Sequence, residues 1–385
     1  MKTTHICPSY KPAYIYGGPT MSVSKLCEGL AQAGCNTELL TTTANGKTTL
    51  KVPTNRPVWL DGVLVYYFKC FSNAPLHFSP ALLWHLLFKK DVKLLHLHSW
   101  WNSAIILACI VAKMKKIPVL LSPRGMLTPY TLENRNKVFK SLIHQLIGNR
   151  LLEYCHIHAS TEKEKQDMLS FIKPKSVTVI PNLVRLPEVP SNYIPVQLLK
   201  SDANRAIKLV FLSRIEEKKG LGILFAALAK ADFKWKLLIA GTGETKYLKR
   251  LKNLAAHLGI TSSLSWLGQV QDEDKFQLLA GQDLMVLPSH NESFANVVVE
   301  SLLVGTPVVI SDQVGLADYV SAKNMGWISK LTVDDLNHAL SEARGSQQQR
   351  DRIRKQAPEI IKTDFSDQNL IVQYLRLYKS IGKNG

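Results

Sequence analysis

Residues 286–312 carry two carboxylates in a setting suited to chemistry: Val-Leu-Pro-Ser-His-Asn-Glu-Ser-Phe-Ala-Asn-Val-Val-Val-Glu-Ser-Leu-Leu-Val-Gly-Thr-Pro-Val-Val-Ile-Ser-Asp. A strand should end at Pro288 and a polar loop should carry Glu292. A helix should then run from about residue 294 to 304, with Gly305 in a position that terminates helices. Glu300 falls on that helix, eight residues after Glu292, so the two carboxylates can lie along neighbouring faces. Ser293, Phe294, Ala295 and Asn296 open the helix, where backbone N–H groups form a ready anion site. Carboxylates on either side of an anion-binding helix start suit a ligand that has both hydroxyls and phosphates. The bland alternative is a solvated loop charge at Glu292 and a dipole-favoured charge at Glu300.

Other residues of chemical type lie at predicted strand ends. Arg214 and Lys219 follow an apolar strand at 208–213; Lys219 alone would read as a solvated lysine at a helix start. Gly241-Thr242-Gly243-Glu244 follows a strand at 236–240, a weak glycine signal by itself. Gly17-Gly18 precede a helix containing Met21, Leu26 and Leu30, and alone would be a turn. His96 and His98 share one face of a strand at 94–98. A zinc pair is one reading of them, but no third ligand is signalled nearby. A packed strand histidine is preferred for His96. Ser122-Pro123-Arg124-Gly125 ends another strand.

The elements that must position these residues alternate short β-rich runs with longer helical ones. Strand 94–98, helix 103–116 and strand 117–122 form a β-α-β unit, which implies a parallel sheet. The second half repeats the logic: strand 208–213, helix 221–230, strand 236–240, a helix through about residue 257, then strands at 263–267, 283–287 and 306–310. The expected fold is α/β, two Rossmann-like doubly wound parallel-sheet domains facing a central cleft, the default ligand site for such sheets. Pro181, Pro187, Pro190 and Pro195 punctuate a polar stretch between the two blocks. The first domain is expected over 1–187, a linker over 188–204 and the second domain over 205–364.

Composition narrows the class. With 385 residues, 46% hydrophobic and 20% charged, the chain is neither a disordered tail, a collagen nor a small disulfide scaffold. Its net charge of +18 is lopsided: residues 1–190 hold 23 basic against 10 acidic groups, a net of +13. That half should face something anionic. The six cysteines (Cys7, Cys27, Cys35, Cys70, Cys109, Cys155) form no C-x-x-C pair and sit mostly among apolar neighbours, so buried thiols are expected rather than disulfides. Residues 1–8 lack the apolar core of a signal peptide, and the longest apolar stretch, 104–112, is half a membrane span. A cytoplasmic location follows as the expectation, with any membrane association peripheral.

The segment 286–312 resembles the retaining nucleotide-sugar glycosyltransferases of family 4, also called group 1, which have the GT-B fold. The resemblance rests on Leu287-Pro288-Ser289, Glu292-Ser293-Phe294, Glu300 and Gly305-Thr306-Pro307-Val308-Val309, several linked features over about 25 residues. Ser213-Arg214-Ile215 with Lys219-Gly220 looks like the family's Gly-Arg-Leu…Lys-Gly segment, with Ser213 in place of the usual glycine. By resemblance, Arg214 and Lys219 hold the donor diphosphate and meet its developing charge on leaving, which fixed cations can do without a metal. Glu300 would hold ribose hydroxyls. Glu292, with the backbone near Phe294 and Ala295, would hold hydroxyls of the transferred sugar. Gly17 and Gly18 match the family's N-terminal glycine loop beside the phosphates, Gly241 lies where the nucleobase binds, and His98 reaches the transferred sugar. Arg124 would contact a donor or acceptor phosphate. Pro181-Asn182 resembles the Pro-Asn-Gly hinge with Leu183 in place of the glycine, and residues 364–378 resemble the C-terminal helix that crosses back to the first domain, so that domain would include about 365–385. Lys137, Lys140 and Arg150 read as surface charges.

The resemblance implies transfer of a sugar from a UDP- or GDP-sugar to a glycan acceptor, commonly polyprenyl-diphosphate-linked, in envelope polysaccharide synthesis (O-antigen, capsule or exopolysaccharide). No cofactor and no metal are expected. Residues 135–150 carry four basic groups, no acid and apolar residues at helical spacing. They suit an anionic membrane surface on the cytoplasmic face, or equally a core-facing helix. No module supports nucleic-acid binding. The rivals are a non-hydrolysing nucleotide-sugar epimerase, a hydrolase using Glu292 and Glu300, which would leave Arg214, Lys219 and the glycine loops unexplained, and a membrane-docked scaffold that has kept the fold without activity.

Overall fold

The computed structural model describes residues 2–71, 77–133, 147–186 and 205–383. The linker expected at 188–204 and most of the basic segment at 135–150, with Lys137 and Lys140, lie outside them. The chain divides into two compact units, Met1–Arg185 with Phe365–Gly385, and Leu186–Asp364.

Unit 1 is built on an eight-stranded sheet: β1 (Lys2–Cys7), β2 (Asn36–Thr42), β3 (Pro57–Leu60), β4 (Val63–Phe68), β5 (Leu95–His98), β6 (Val119–Ser122), β7 (His156–Ala159) and β8 (Ser176–Val179). The order is β8-β7-β6-β5-β1-β2-β4-β3. Only the edge strand β3 runs antiparallel, to β4. Parallel strands need crossovers, and the helices supply them: α1 (Gly18–Gln32), α2 (Pro80–Phe88), α3 (Ser103–Met114) and α4 (Glu162–Leu169). Leu95, Leu97, Leu121 and Ile157 face Leu82, Leu86, Ile105 and Ala108 of α2 and α3. Leu120 on the other face packs with Leu26 and Leu30 of α1 and with Ile371, Tyr374 and Tyr378 of the C-terminal helix.

Unit 2 holds β9 (Ile207–Leu212), β10 (Trp235–Ala240), β11 (Leu264–Gly268), β12 (Leu284–Leu287), β13 (Val308–Ser311) and β14 (Gly326–Ser329), all parallel. Their order, β11-β10-β9-β12-β13-β14, is that of a nucleotide-binding Rossmann sheet. Every residue of β12 and β13 is buried, as continuous apolar runs inside a parallel sheet should be. Around the sheet run α5 (Leu221–Ala229), α6 (Thr245–His257), α7 (Asp272–Ala280), α8 (Asn296–Leu303), α9 (Val333–Gly345) and α10 (Gln347–Asp364). The last helix, α11 (Asp367–Lys383), belongs to unit 1 and packs against α1.

The strands expected from the sequence sit within two residues of their observed bounds. The sequence pattern gives no strand at residues 2–7, yet they form the central strand of unit 1; Thr3, Thr4 and His5 are polar but fully buried. The helix expected from residue 294 starts at Asn296, because Ala295 before it takes a left-handed φ of +70°. Gly305 has a φ of +79°, and a Cβ there would lie 2.7 Å from the Arg354 carbonyl oxygen, so packing against α10 as well as helix ending demands glycine. All six cysteines are free thiols, five of them buried. Burial pushes the Cys7 thiol up to about 12. Among the described residues no helix is long and apolar enough to cross a membrane.

Candidate active site

In unit 2 the chain reverses its winding direction between β9 and β12, and ligands of open α/β sheets bind outside the carboxyl ends of strands at such a point. Two loops meet there. Beyond β9, the Ile215 N–H donates to the Thr242 carbonyl at 2.7 Å. A Cβ on Gly241 (φ +138°) would sit 1.8 Å from the Ser213 carbonyl oxygen, and one on Gly243 would sit 2.1 Å from that of Ile215. The G-x-G therefore serves a close approach of backbone to backbone. A short turn, Glu217–Lys219, ends at Gly220 (φ +75°), where a Cβ would lie 1.9 Å from the Pro288 carbonyl oxygen. The Lys218 carbonyl accepts from the His290 N–H at 2.7 Å and from Ser289 Oγ at 2.9 Å, and Ser311 Oγ donates to the Ser289 carbonyl at 2.5 Å.

These contacts bring Lys219 and Glu292, 73 positions apart, into an ion pair between Nζ and Oε1. The two side chains are only 9% and 15% exposed. Burial pushes the Lys219 ammonium well below the ordinary lysine range, Lys218 and Arg214 repel it further, and Glu216 opposes them. Glu292 supplies the contacting counter-charge. Its backbone is held on both sides: its N–H donates to the Gln313 carbonyl at 3.2 Å and its carbonyl accepts from the Gly315 N–H at 2.7 Å. Both groups therefore sit in a desolvated setting at the carboxyl end of the sheet.

Glu300 is buried on α8 and pairs not with Glu292's lysine but with Lys275 of α7, Nζ to Oε1 at 2.8 Å. Lys275 follows an acidic run and carries no motif, so nothing in the sequence singled it out. Arg214 turns outward: its side chain is 47% exposed and donates to Glu216 Oε1 at 2.6 Å. The structure therefore brings Lys219 to Glu292, gives Glu300 its own cation, and leaves Arg214 at the exposed lip of the β9 loop. Phe294 is buried, while Ser293 and Ala295 are half-buried beside Glu292.

In unit 1 the winding reverses between β1 and β5, and there a layer of histidines lies under α1 and α11. His5 pairs with His96 across the two strands, and His98 with Ser122. A directional chain of hydrogen bonds follows. His158 Nε2 donates to the Ile180 carbonyl at 2.7 Å, and its Nδ1 accepts from Ser122 Oγ at 2.8 Å. Ser122 accepts from His96 Nε2 at 2.7 Å, and His96 Nδ1 accepts from the Tyr378 hydroxyl at 2.8 Å. A second chain starts from Arg124, which can only donate. It contacts His98 Nδ1 at 3.4 Å, so the His98 proton sits on Nε2 and is donated to His5 Nδ1 at 3.0 Å. His5 Nε2 has no partner among the described residues. Burial drives all four imidazoles to the neutral form, His5 and His158 to about 3, and the Arg124 charge adds to this.

The third histidine absent from the sequence reading is thus His5. One ring nitrogen from each of His5, His96 and His98 lies within 4.8 Å of the others. The set nevertheless suits a cation poorly: all but one of their ring nitrogens are already committed, no carboxylate belongs to it, and Arg124 adds a positive charge alongside. His98 is fully buried, with one ring nitrogen against His5 and the other against the Arg124 guanidinium. That guanidinium also donates to Ser22 Oγ at 2.7 Å and Asn182 Oδ1 at 3.1 Å, while its buried Nε has no partner among the described residues. Arg124 sits in a left-handed turn (φ +52°) with Gly125, whose N–H donates to Glu164 Oε1 at 2.7 Å. Glu164 was missed, although Thr161-Glu-Lys-Glu164 is a legible capping box: Thr161 Oγ1 accepts from its N–H at 3.1 Å. Gly17 needs its positive φ of +64°; a Cβ at either Gly17 or Gly18 would meet open space.

Two nucleotide-binding-type sheets, each with charged residues at its switch point, define a GT-B class protein. The fold is shared at full length with sucrose-phosphate synthase from Thermosynechococcus elongatus (TM-score 0.76, 16% identity, 100% of both chains). It is also shared with Anabaena Alr3699/HepE, solved with UDP and glucose (TM-score 0.74, 20% identity, 99% of this chain and 100% of that one). The family models "Glycosyltransferase Family 4" and "Glycosyl transferases group 1" match residues 16–187 and 200–360, so the chain belongs to the group 1 glycosyltransferases of family 4. An uncharacterized glycosyltransferase of Methanocaldococcus jannaschii, MJ1607, is 27% identical over 174 residues, 44% of each chain. The chain spans about half the length of the curated relatives it matches.

Proposed function

We propose that the protein is a retaining glycosyltransferase that moves a sugar from a UDP- or GDP-sugar to a glycan acceptor, lipid-diphosphate-linked, in envelope polysaccharide synthesis. The observation that carries this reading is the buried Lys219–Glu292 pair at the switch point of the unit 2 sheet. In this reading Lys219, with Arg214 swinging in from the exposed lip, meets the donor diphosphate, so that the leaving charge is met by fixed cations. Glu292, beside Phe294 and Ala295, takes hydroxyls of the transferred sugar, and Glu300 those of the ribose. Gly241 lies at the nucleobase. In unit 1, Arg124 and the Gly17–Gly18 loop face a phosphate, and His98, beside Arg124, lies toward the transferred sugar.

The step we favour is a front-side displacement. The acceptor oxygen bonds the anomeric carbon on the face the diphosphate leaves. The bond from that carbon to the phosphate oxygen breaks, and the acceptor proton passes to the leaving oxygen. The reading carries a cytoplasmic location at the inner membrane face, supported by the +13 charge of residues 1–190.

The test is a thermal-shift panel of UDP, GDP and their sugars, followed by turnover with lipid-diphosphate acceptors. UDP comes first, because the Anabaena neighbour was solved with it. At least one nucleotide sugar should raise the melting temperature, and Lys219→Ala should abolish the rise. A panel with no shift, together with Arg214→Ala and Lys219→Ala chains indistinguishable from wild type, would overturn the reading.

A further inference from the structure

We propose that the joined ends of α2 and α3 form a docking surface for an anionic lipid bilayer. This deepens the membrane part of the proposed function and rests on it for its purpose, but it uses a surface distinct from residues 135–150.

Helix α2, Pro-Ala-Leu-Leu-Trp-His-Leu-Leu-Phe, has no Lys, Arg, Asp or Glu. Leu82 and Leu86 face the core and are fully buried. A surface helix ordinarily turns polar residues to water on the opposite side. Here that side shows Trp84 at 67%, Phe88 at 59% and Leu87 at 40% exposure. The Trp84 and Phe88 rings lie 4.5 Å apart and form one ridge. Beside the ridge a groove of about 510 Å³, lined by Asn55, Phe68, Pro80, Ala81, Trp84 and His85, continues the apolar surface inward.

The Lys115 ammonium ties the two helix ends together by donating to the carbonyls of Leu86, Leu87 and Lys89 at 3.1, 2.8 and 2.6 Å. That tie puts Met114, 72% exposed, and Lys116 at the same corner as Leu87, Phe88 and Lys90. Lys89 is taken by Glu38, and Asp91 by Lys2. Among the described residues no carboxylate pairs with Lys90 or Lys116.

An aromatic and aliphatic ridge rimmed by uncompensated ammonium groups matches a bilayer interface: rings settle at headgroup depth and lysines meet lipid phosphates. Protein interfaces share the aromatic enrichment but are depleted in lysine. A two-fold contact between copies through this ridge would gather Lys90 and Lys116 of both copies around one interface without a counter-charge of its own. The charge therefore favours lipid over either protein partner.

The intact chain is to be sedimented with phosphatidylglycerol-containing vesicles and with phosphatidylcholine vesicles. Wild type should bind the first and not the second. Trp84→Glu/Phe88→Glu and Lys90→Glu/Lys116→Glu should each weaken binding by about tenfold or more, since each surface cation is worth roughly a fivefold change. Brominated lipid should quench tryptophan fluorescence in wild type and less so in Trp84→Phe. The UDP-induced thermal shift, unchanged in all these variants, shows that fold and donor site are intact. Failure of wild type to bind anionic vesicles, or variants that bind as wild type, overturns the surface, as does a dimer in solution broken by Trp84→Glu/Phe88→Glu. Loss of the UDP shift with vesicle binding intact would instead sink the transferase reading and leave the surface standing.

Discussion

Lys219 and Glu292 show how much one contact decides. Alone, the lysine read as a solvated charge; in the fold it is desolvated and its partner comes from a loop 73 positions away. Removing one member of such a pair strands the other, so Glu292→Gln should cost about 3 kcal/mol in urea unfolding. Lys219→Met/Glu292→Gln should recover part of that, because no uncompensated charge remains. Transfer should still be lost in the double variant: Lys219→Ala alone is expected to lower kcat by roughly 10²–10³-fold, the cost of one preorganised charge at a leaving group. Arg124→Lys tests the other cation. A guanidinium fork reaches Ser22, Asn182 and His98 at once, which a single ammonium cannot do, so the exchange should cut turnover while arginine-specific hydrogen bonds disappear. Wild-type turnover in Arg124→Lys would remove Arg124 from the site. Glu292, Lys219 and Arg124 were legible as residue types just beyond strand ends, and Glu300 as a carboxylate on the helix that follows. Lys275 and His5 were not, because each meets partners distant in the chain, Glu300 and His98; Glu164 was legible as a capping residue, but its contact with Gly125 was not.

Glycines carry the element-scale constraint, and they divide into two kinds. At Gly220 a methyl group would meet the Pro288 carbonyl oxygen at 1.9 Å, so Gly220→Ala should separate the two loops and lower the melting temperature along with the UDP shift. At Gly18 a methyl group meets nothing and φ is unremarkable. Gly18→Ala should therefore leave the melting temperature within a degree or so and show any effect in phosphate recognition alone. Equal losses of stability at both positions would contradict the geometry. The alternation of strands and helices was readable because parallel strands buried on both faces are unbroken apolar runs. β1 escaped notice because its polar residues satisfy one another across strands, which no local pattern reveals. The helix start at 296 rather than 294 has the same origin: Ala295 is held left-handed by the loop packed around it.

At the scale of the whole molecule, the two units carry different acid sensitivities. His5, His96, His98 and His158 all lie in unit 1, buried and neutral, facing Arg124, Ser122, Tyr374 and Tyr378. Unfolding lets each take a proton near pH 6.5. The unfolded state then binds more protons as pH falls, so stability is full above about 6.5 and drains away toward the folded values, about 3 for His5 and His158. Calorimetry of the intact chain should show the unit 1 transition falling steeply between pH 6 and 4.5, by several kcal/mol in all, while UDP raises the transition of unit 2. A unit 1 transition flat over that range would mean the histidines are not neutral in the fold. The sequence alone determined the class of fold, the net positive charge of the first half and the motif residues of the second, because periodicity, net charge and spacing are properties of the chain itself. Only the tertiary structure decided that Lys219 faces Glu292, that Glu300 pairs with Lys275, and that His98 is buried between His5 and Arg124. Burial and charge pairing arise between segments far apart in the chain, and they depend on distances that folding alone creates.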